Sequence, residues 1–335
     1  MKRHHATTSV PSEANPTRRG PRHQSKTCSN RKRVVFITGP TASGKSEIAL
    51  VLASKLGAEI ISSDSMQIYK GMEILSSQPQ PSIRKKVPHH LLAFISPRKE
   101  YNVSRYIRDA NKKVKSIIKK GKFPLFVGGT GLYMATIIDG IFKDSGKNED
   151  LRKKLYKQSK THGVGFLHAR LAKIDPVAAS RIHPNDTKRI VRALEVFETT
   201  GKPISQLQKE KSGGLSEDYD IKIFCLNLKR SALYRRIEKR VDVMFKRGIL
   251  EEVKKLLMIP LSKTASYAIG IRELEGYFAG RYDLGEAKEL IKRNTRLYAK
   301  RQLTWFRKDK RIEWVEIGDK EKSSVTVERI FKKLM

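Results

Sequence analysis

At 335 residues the chain has room for one elaborated domain or two, and its 39% hydrophobic against 31% charged residues is the balance of a soluble globular protein. No apolar run approaches the roughly 20 residues of a membrane-spanning helix, and the formal net charge of +36 makes nucleic acid the first candidate partner. Only Cys28 and Cys225 are present, in unlike contexts, which excludes a disulfide framework and a four-thiolate zinc site and fits a reducing compartment.

Residues 1–33 carry nine Lys and Arg against the single acid Glu13, with no apolar stretch for a secretory core. A disordered basic tail is therefore predicted over residues 1–32 of a cytoplasmic protein; the same composition also suits organellar import. Residues 34–38, VVFIT, form a continuous apolar run, the mark of a strand covered on both faces in a parallel sheet. A helix is predicted over 46–56, a second strand over 58–62, a basic helix over 103–120 and a third strand over 123–127. This alternation predicts an α/β fold.

From 142 to 210 the strand signals vanish and Leu151, Leu155, Phe166, Leu167, Leu171 and Ile174 fall at helical spacings, predicting an inserted all-helical domain. The polar stretch 211–218 reads as the linker back, and residues 221–228 as a further strand of the same sheet. The core thus comprises residues 33–141 and 218–315, with 316–335 a separate C-terminal segment. Long helices are predicted from 228 onward to the end, the last carrying Ile291, Tyr298 and Trp305 as a buried stripe and Arg293, Lys300 and Arg307 on a basic face.

The stretch GPTASGKS, residues 39–46, lies between the first strand and the first helix and fits the phosphate-binding pattern G-x-x-x-x-G-K-[ST]. Gly39 and Gly44 let successive N–H groups turn inward at a helix N-terminus. Lys45 offers a mobile charge, and Ser46 a hydroxyl for Mg²⁺. Such a loop ordinarily implies a nucleotide and a second acidic metal ligand at a strand end. Here the third strand ends in GGTG, placing Thr130 where that acid would stand, and the well-placed carboxylate is Asp64, beyond the second strand. Asp64 reads as a base acting on an acceptor, or as a turn or helix cap in SSDS.

The motifs GPTASGKS, SSDSMQIYKGM, VPHH, FVGGTGLY, HPNDTKRIVRALEVFETTGKPIS, RVDVM with GILEEV, AIGIRE and TRLYAKRQLTWFR follow one another between about residues 33 and 310. In that order and spacing they closely resemble the tRNA dimethylallyltransferases. The resemblance implies a P-loop NTPase-like parallel sheet with a helical insert. It implies transfer of a dimethylallyl group from dimethylallyl diphosphate to N6 of the adenosine 3′ of the anticodon, in tRNAs reading codons that begin with U, with release of pyrophosphate. It assigns Gly39, Pro40, Thr41, Ala42, Ser43, Gly44, Lys45 and Ser46, with Arg240 of RVDVM, to the diphosphate. Asp64 takes the proton and Thr130 places the reacting groups. Asp64, Ser65, Met66 and Gln67, then Lys188, Arg189, Ile190, Val191 and Arg192, then Tyr267, Gly270 and Arg272 face the tRNA anticodon stem-loop. Mg²⁺ is the expected cofactor, on Ser46, and the expected state is a monomer.

Three positions depart from the family pattern: Tyr267 and Ile271 stand where a basic and an aromatic residue are expected, and Lys188 where Gln is more familiar. His89 and His90 read as packing or capping residues, and His183 marks either a helix start at Asn185 and Asp186 or an RNA contact. Trp305 reads as core. The rival functions are an adenylate dimethylallyltransferase, a small-molecule kinase with ATP in the loop, and a non-enzymatic RNA-binding module. The helical insert and the DSMQ motif argue against the first of them.

Overall fold

The computed structural model describes residues 1–2, 31–142 and 146–335. Most of the predicted basic tail, Cys28 included, lies outside the described residues. Six parallel strands form one sheet: β1 (Arg33–Thr38), β2 (Glu59–Ser62), β3 (His89–His90), β4 (Pro124–Gly128), β5 (Asp220–Leu228) and β6 (Ile312–Ile317), ordered β3-β2-β4-β1-β5-β6. β1 is central because its run is apolar on both sides: Val34 and Phe36 enter one hydrophobic layer, Val35 and Ile37 the other. Phe36 stacks on Phe126 of β4 with ring centroids 4.5 Å apart, worth about 0.5–1.5 kcal/mol beyond burial.

Helices α1 (Lys45–Leu56), α2 (Pro81–Lys86), α3 (Val103–Lys119) and α4 (Gly131–Asp139) connect or follow the first four strands. α1 packs on the Val35 layer, α3 and α4 on the Phe36 layer.

The insert consists of α5 (Glu149–His162), α6 (Val164–Ile174), α7 (Pro176–Ala179), α8 (Thr187–Thr200) and α9 (Ile204–Leu207). These helices enclose a hydrophobic cluster of their own around Leu155, Leu171, Ile190 and Leu194. The starts of α5, α7 and α8 are set by side-chain caps: Asn148 accepts from the Leu151 N–H, Asp175 from Ala178 and Asp186 from Arg189, at 3.0, 2.9 and 3.2 Å. His183 thus precedes a helix start made by Asp186. Glu195, fully buried, joins α8 to α5 by accepting from Arg152 Nε and Nη2 (both 2.7 Å), Arg192 Nη1 (2.6 Å) and the Asn148 N–H (2.9 Å). Burial acts to raise its pKa, and those donors outweigh it, so the carboxyl stays below the usual range. The chain leaves and re-enters the core through an antiparallel bridge between Ile141 and Ser212. The linker there is shorter than the sequence suggests, because Leu215–Asp218 winds into a helical turn, α10.

After β5 come α11 (Arg230–Lys246), α12 (Ile249–Leu257), a 3₁₀ turn at Ala265–Tyr267, α13 (Ile271–Phe278) and α14 (Leu284–Phe306). The expectation of helices to the end fails at β6: IEWVEI is rich in β-branched and aromatic residues, and it pairs with β5 from Ile223↔Ile312 to Leu228↔Ile317. A boundary at 316 would cut this strand. α15 (Ser323–Leu334) then packs Val327, Ile330 and Leu334 on the α1 side of the sheet. The buried stripe of α14 also differs from the seven-residue reading: it is Ala287, Ile291, Thr295, Ala299, Gln302 and Phe306, leaving Tyr298 half-buried and Trp305 38% exposed. Spacing of three and four, not seven, follows the pitch of a straight helix. Among the described residues no helix is long and apolar enough to cross a membrane.

At the opposite end of the sheet from the phosphate loop, Glu59 is buried at the start of β2 beside His90 Nε2 (2.7 Å) and Lys122 Nζ (3.0 Å), with Lys120 at 3.5 Å. His89 Nδ1 lies 2.7 Å from the Val87 carbonyl, so both histidines serve the packing of β3. Burial acts to raise the Glu59 pKa, but His90 and the lysines bring it from 4.5 down to about 2. A depressed folded pKa stabilises above the unfolded value and is lost as pH falls through the folded one. Between pH 7 and pH 3 the parent should lose about 2 kcal/mol of unfolding free energy more than Glu59→Gln does, measured by urea denaturation at both pH values. Equal losses would show that the cluster is not electrostatically coupled to folding.

Candidate active site

The phosphate loop leaves β1 at Thr38 and enters α1 at Lys45. Gly44 caps the helix with φ +90°, a conformation that costs a side chain dearly, and Ala42 holds φ +63° without being glycine, a strain common at functional loops. The turn is closed by the Ser43 N–H donating to the Pro40 carbonyl at 3.2 Å, and Lys45 Nζ donates to the same carbonyl at 3.1 Å. Beneath the loop, the buried Cys225 thiol is pushed up to about 12 by burial and is inert.

Lys45, Arg240 of α11 and Asp64 face one cavity of about 640 Å³, whose wall also includes Thr41, Ser46 and Tyr298. Burial lowers the Lys45 pKa to about 8; Asp64 and Cys225 act to raise it, while Arg240 pushes it further down. Arg240 is lowered too, by burial, with Asp64 and Tyr298 opposing. Two cations crowded against one carboxylate leave a net positive site that an anion would relieve.

Asp64 sits just past β2. Its Oδ1 accepts from the Met66 and Gln67 N–H groups at 2.9 and 3.4 Å, so the turn fixes one oxygen of the carboxylate. Thr130, past β4, accepts from the Ser65 N–H at 3.0 Å, and its own N–H donates to the Ser63 carbonyl at 3.2 Å. The loops after β2 and β4 are thereby laced together, with Thr130 bonded to the residue next to Asp64. Burial raises the Tyr298 hydroxyl pKa, and the Asp64 carboxylate acts in the same direction.

Not every residue assigned by motif can act by its side chain. Ile190 and Val191 are buried in the insert's own cluster, because α8 turns that face inward. Arg192 is engaged with Glu195; Lys188 and Arg189 remain exposed. Among the described residues, none of the insert lines the cavity. Gln67 is occupied internally, accepting from Ser62 Oγ and donating to the Ser76 and Ser77 carbonyls, all at 3.3 Å. Tyr267, 51% exposed, reaches the cavity rim with the Arg272 guanidinium 5.0 Å over its ring. Gly270 leaves room for Leu75, since a Cβ there would come within 2.5 Å of Leu75 Cδ1.

Two contributors stand inside quoted motifs, GILEEV and TRLYAKRQLTWFR, without a role assigned to them there. Glu252 of α12 accepts from the Ile74 and Leu75 N–H groups at 2.8 and 2.7 Å, bracing the loop that follows Gln67. Gln302 of α14 is buried between the loops after β1 and β4. The signal for Gln302 is an amide on the apolar face of an amphipathic helix.

A parallel sheet with a phosphate-loop motif and a carboxylate at its carboxyl edge defines an α/β P-loop protein. The family model described as IPP transferase matches residues 67–309, and that described as isopentenyl transferase matches 32–92. The chain belongs to the IPP transferase family. The tRNA dimethylallyltransferase of Geobacter sulfurreducens is 47% identical over 86% of this chain and 93% of its own length, and that of Geobacillus thermodenitrificans 45% over 90% and 96%. The crystal structure of the full-length tRNA isopentenylpyrophosphate transferase from Bacillus halodurans superposes with a TM-score of 0.66 at 36% identity, covering 91% of this chain and 96% of that one. A eukaryotic dimethylallyltransferase captured acting on tRNA gives 0.69 at 29% identity, covering 85% and 74%.

Proposed function

We propose that this chain transfers a dimethylallyl group from dimethylallyl diphosphate to N6 of the adenosine on the 3′ side of a tRNA anticodon, in tRNAs reading codons that begin with U. The observation that carries this reading is that Lys45, Arg240 and Asp64 line a single cavity, an anion grip and a base in one place. The loop N–H groups, Lys45 and Arg240 hold the diphosphate. As the N6–C1 bond forms, the C1–O bond breaks, its electron pair leaves on pyrophosphate, and Asp64 takes the amine proton. Thr130 fixes the loop that presents Asp64. To reach this cavity the adenine leaves its stack, and exposed Lys188 and Arg189 of the insert, with Tyr267 and Arg272 at the rim, hold the RNA around it.

The oxygen donors Thr41, Ser46 and Asp64 on the cavity wall suit a hard cation, and Ser46 would hold Mg²⁺ together with diphosphate oxygens. The metal would add positive charge beside the leaving group.

Incubated with Mg²⁺ and labelled dimethylallyl diphosphate, the protein should label unmodified tRNA and leave free AMP unlabelled. Labelling of AMP alone would make it an adenylate dimethylallyltransferase, and ATP-dependent phosphorylation of a metabolite would overturn the reaction class.

A further inference from the structure

α14 crosses the carboxyl edge of the sheet, and from its buried face Gln302 reaches two loops at once. Its Oε1 accepts from the Thr41 N–H at 2.8 Å, and its Nε2 donates to the Gly129 carbonyl at 2.8 Å. Thr41 belongs to the loop after β1, which grips the phosphates; Gly129 belongs to the loop after β4. The next residue, Thr130, accepts from the Ser65 N–H beside Asp64. One amide therefore stands between the anion grip and the base. A primary amide carries a donor and an acceptor on one planar group, which neither an apolar nor a carboxylate side chain supplies. The fit is tight: a Cβ on Gly129 would lie 2.1 Å from Gln302 Nε2 and 3.3 Å from the Gly39 carbonyl. The Thr41 N–H, assigned by motif to the diphosphate, is in this arrangement spent on Gln302, so the anion is left to the N–H groups further along the loop.

We propose that Gln302 is a positioning residue that sets the register between the phosphate loop and the acceptor loop, and so the distance from the allylic carbon to the incoming nitrogen. This rests on the function proposed above. Reaction needs those atoms roughly 3–3.5 Å apart and aligned, and a 1 Å error costs about 10²-fold. With the register lost, the diphosphate still ionises in its grip, but a water oxygen takes C1 as the C1–O bond breaks. The products are then dimethylallyl alcohol, pyrophosphate and a proton.

Gln302→Met fills the same space without either hydrogen bond. With Mg²⁺, unmodified tRNA and labelled dimethylallyl diphosphate, it should form prenylated tRNA about 10²-fold more slowly, with an increased ratio of dimethylallyl alcohol to prenylated tRNA. Its dissociation constants for pyrophosphate and tRNA should stay within about threefold of the parent's, separating register from binding. Gly129→Ala disturbs the same contact from the other side and should give the same product shift; it carries the test should Gln302→Met be insoluble. An unchanged rate and product ratio overturns the role, and so does a rate loss matched by equal losses in both affinities. If the parent itself fails to prenylate tRNA, the proposed function falls; if the parent succeeds and both variants match it, only the role of Gln302 does.

Discussion

An Asp64→Asn protein is expected to prenylate tRNA about 10²–10⁴ times more slowly than the parent, with pyrophosphate bound at least as tightly, since a negative charge beside Lys45 and Arg240 is removed. The substitution is isosteric, and the bonds that the backbone makes to this side chain need only an oxygen. Oδ1 accepts from Met66 and Gln67, and an Asn carbonyl accepts from the same two donors. The turn after β2 therefore survives. What disappears is the capacity to take a proton from the attacking amine, whose lone pair is delocalised into the adenine ring and whose nitrogen becomes strongly acidic only as the new bond forms. The measurement is single-turnover transfer of a labelled prenyl group with enzyme in excess, beside pyrophosphate binding by titration calorimetry. Asn caps turns and helices as well as Asp does, so a fully active Asp64→Asn protein would reduce Asp64 to a cap and remove the base from the mechanism.

The parts of the site legible in the sequence are those whose chemistry is written within a few consecutive residues. GPTASGKS after an apolar run is a strand, a turn and a helix N-terminus wherever it occurs, and Asp64 follows a strand whose buried run ends two residues before it. Gln302 is illegible by the same logic. Its partners lie 261 and 173 residues away, and only the crossing of α14 over the sheet edge brings them together. At two other places the helical period decides what a motif can do. From KRIVR into the two residues after it, the buried Ile190, Val191, Ala193 and Leu194 repeat at helical spacing, which separates an inward face from the outward Lys188 and Arg189. Reading the five letters as one RNA contact ignores that rotation. In α14 the seven-residue spacing of Ile291, Tyr298 and Trp305 suggests one apolar stripe, but a seven-residue repeat drifts around a straight helix, and of the three only Ile291 lies on the buried face. β6 was hidden for another reason: an edge strand of six residues after a 23-residue helix carries weak alternation, and its partner strand is already complete in the sequence.

Lys45→Met should cost about 10²–10³ in the rate of prenyl transfer, and, unlike Asp64→Asn, it should weaken binding of dimethylallyl diphosphate in the absence of tRNA. Lys45 is crowded by burial and by Arg240, and its pKa lies at about 8, below the 10.5 of an exposed lysine. The sign of the pH effect follows. The charged ammonium is disfavoured in the empty cavity, a destabilisation present at low pH and relieved as pH rises through about 8. A bound diphosphate reverses the balance, because its charge favours the ammonium. Below pH 8 the lysine is already protonated and binding needs no proton; above it, binding takes one up, and the affinity of the parent should fall by up to about tenfold per pH unit. Lys45→Met has nothing to titrate there, so its weaker affinity should be flat between pH 7.5 and 9.5, on the order of two units around the lysine pKa. The test is a binding titration with dimethylallyl diphosphate across that range for both proteins. Parallel pH curves would place the titrating group elsewhere. Intact binding by Lys45→Met would mean that Arg240 and the loop N–H groups hold the diphosphate alone, and that Lys45 acts only on the charge that develops as the carbon departs.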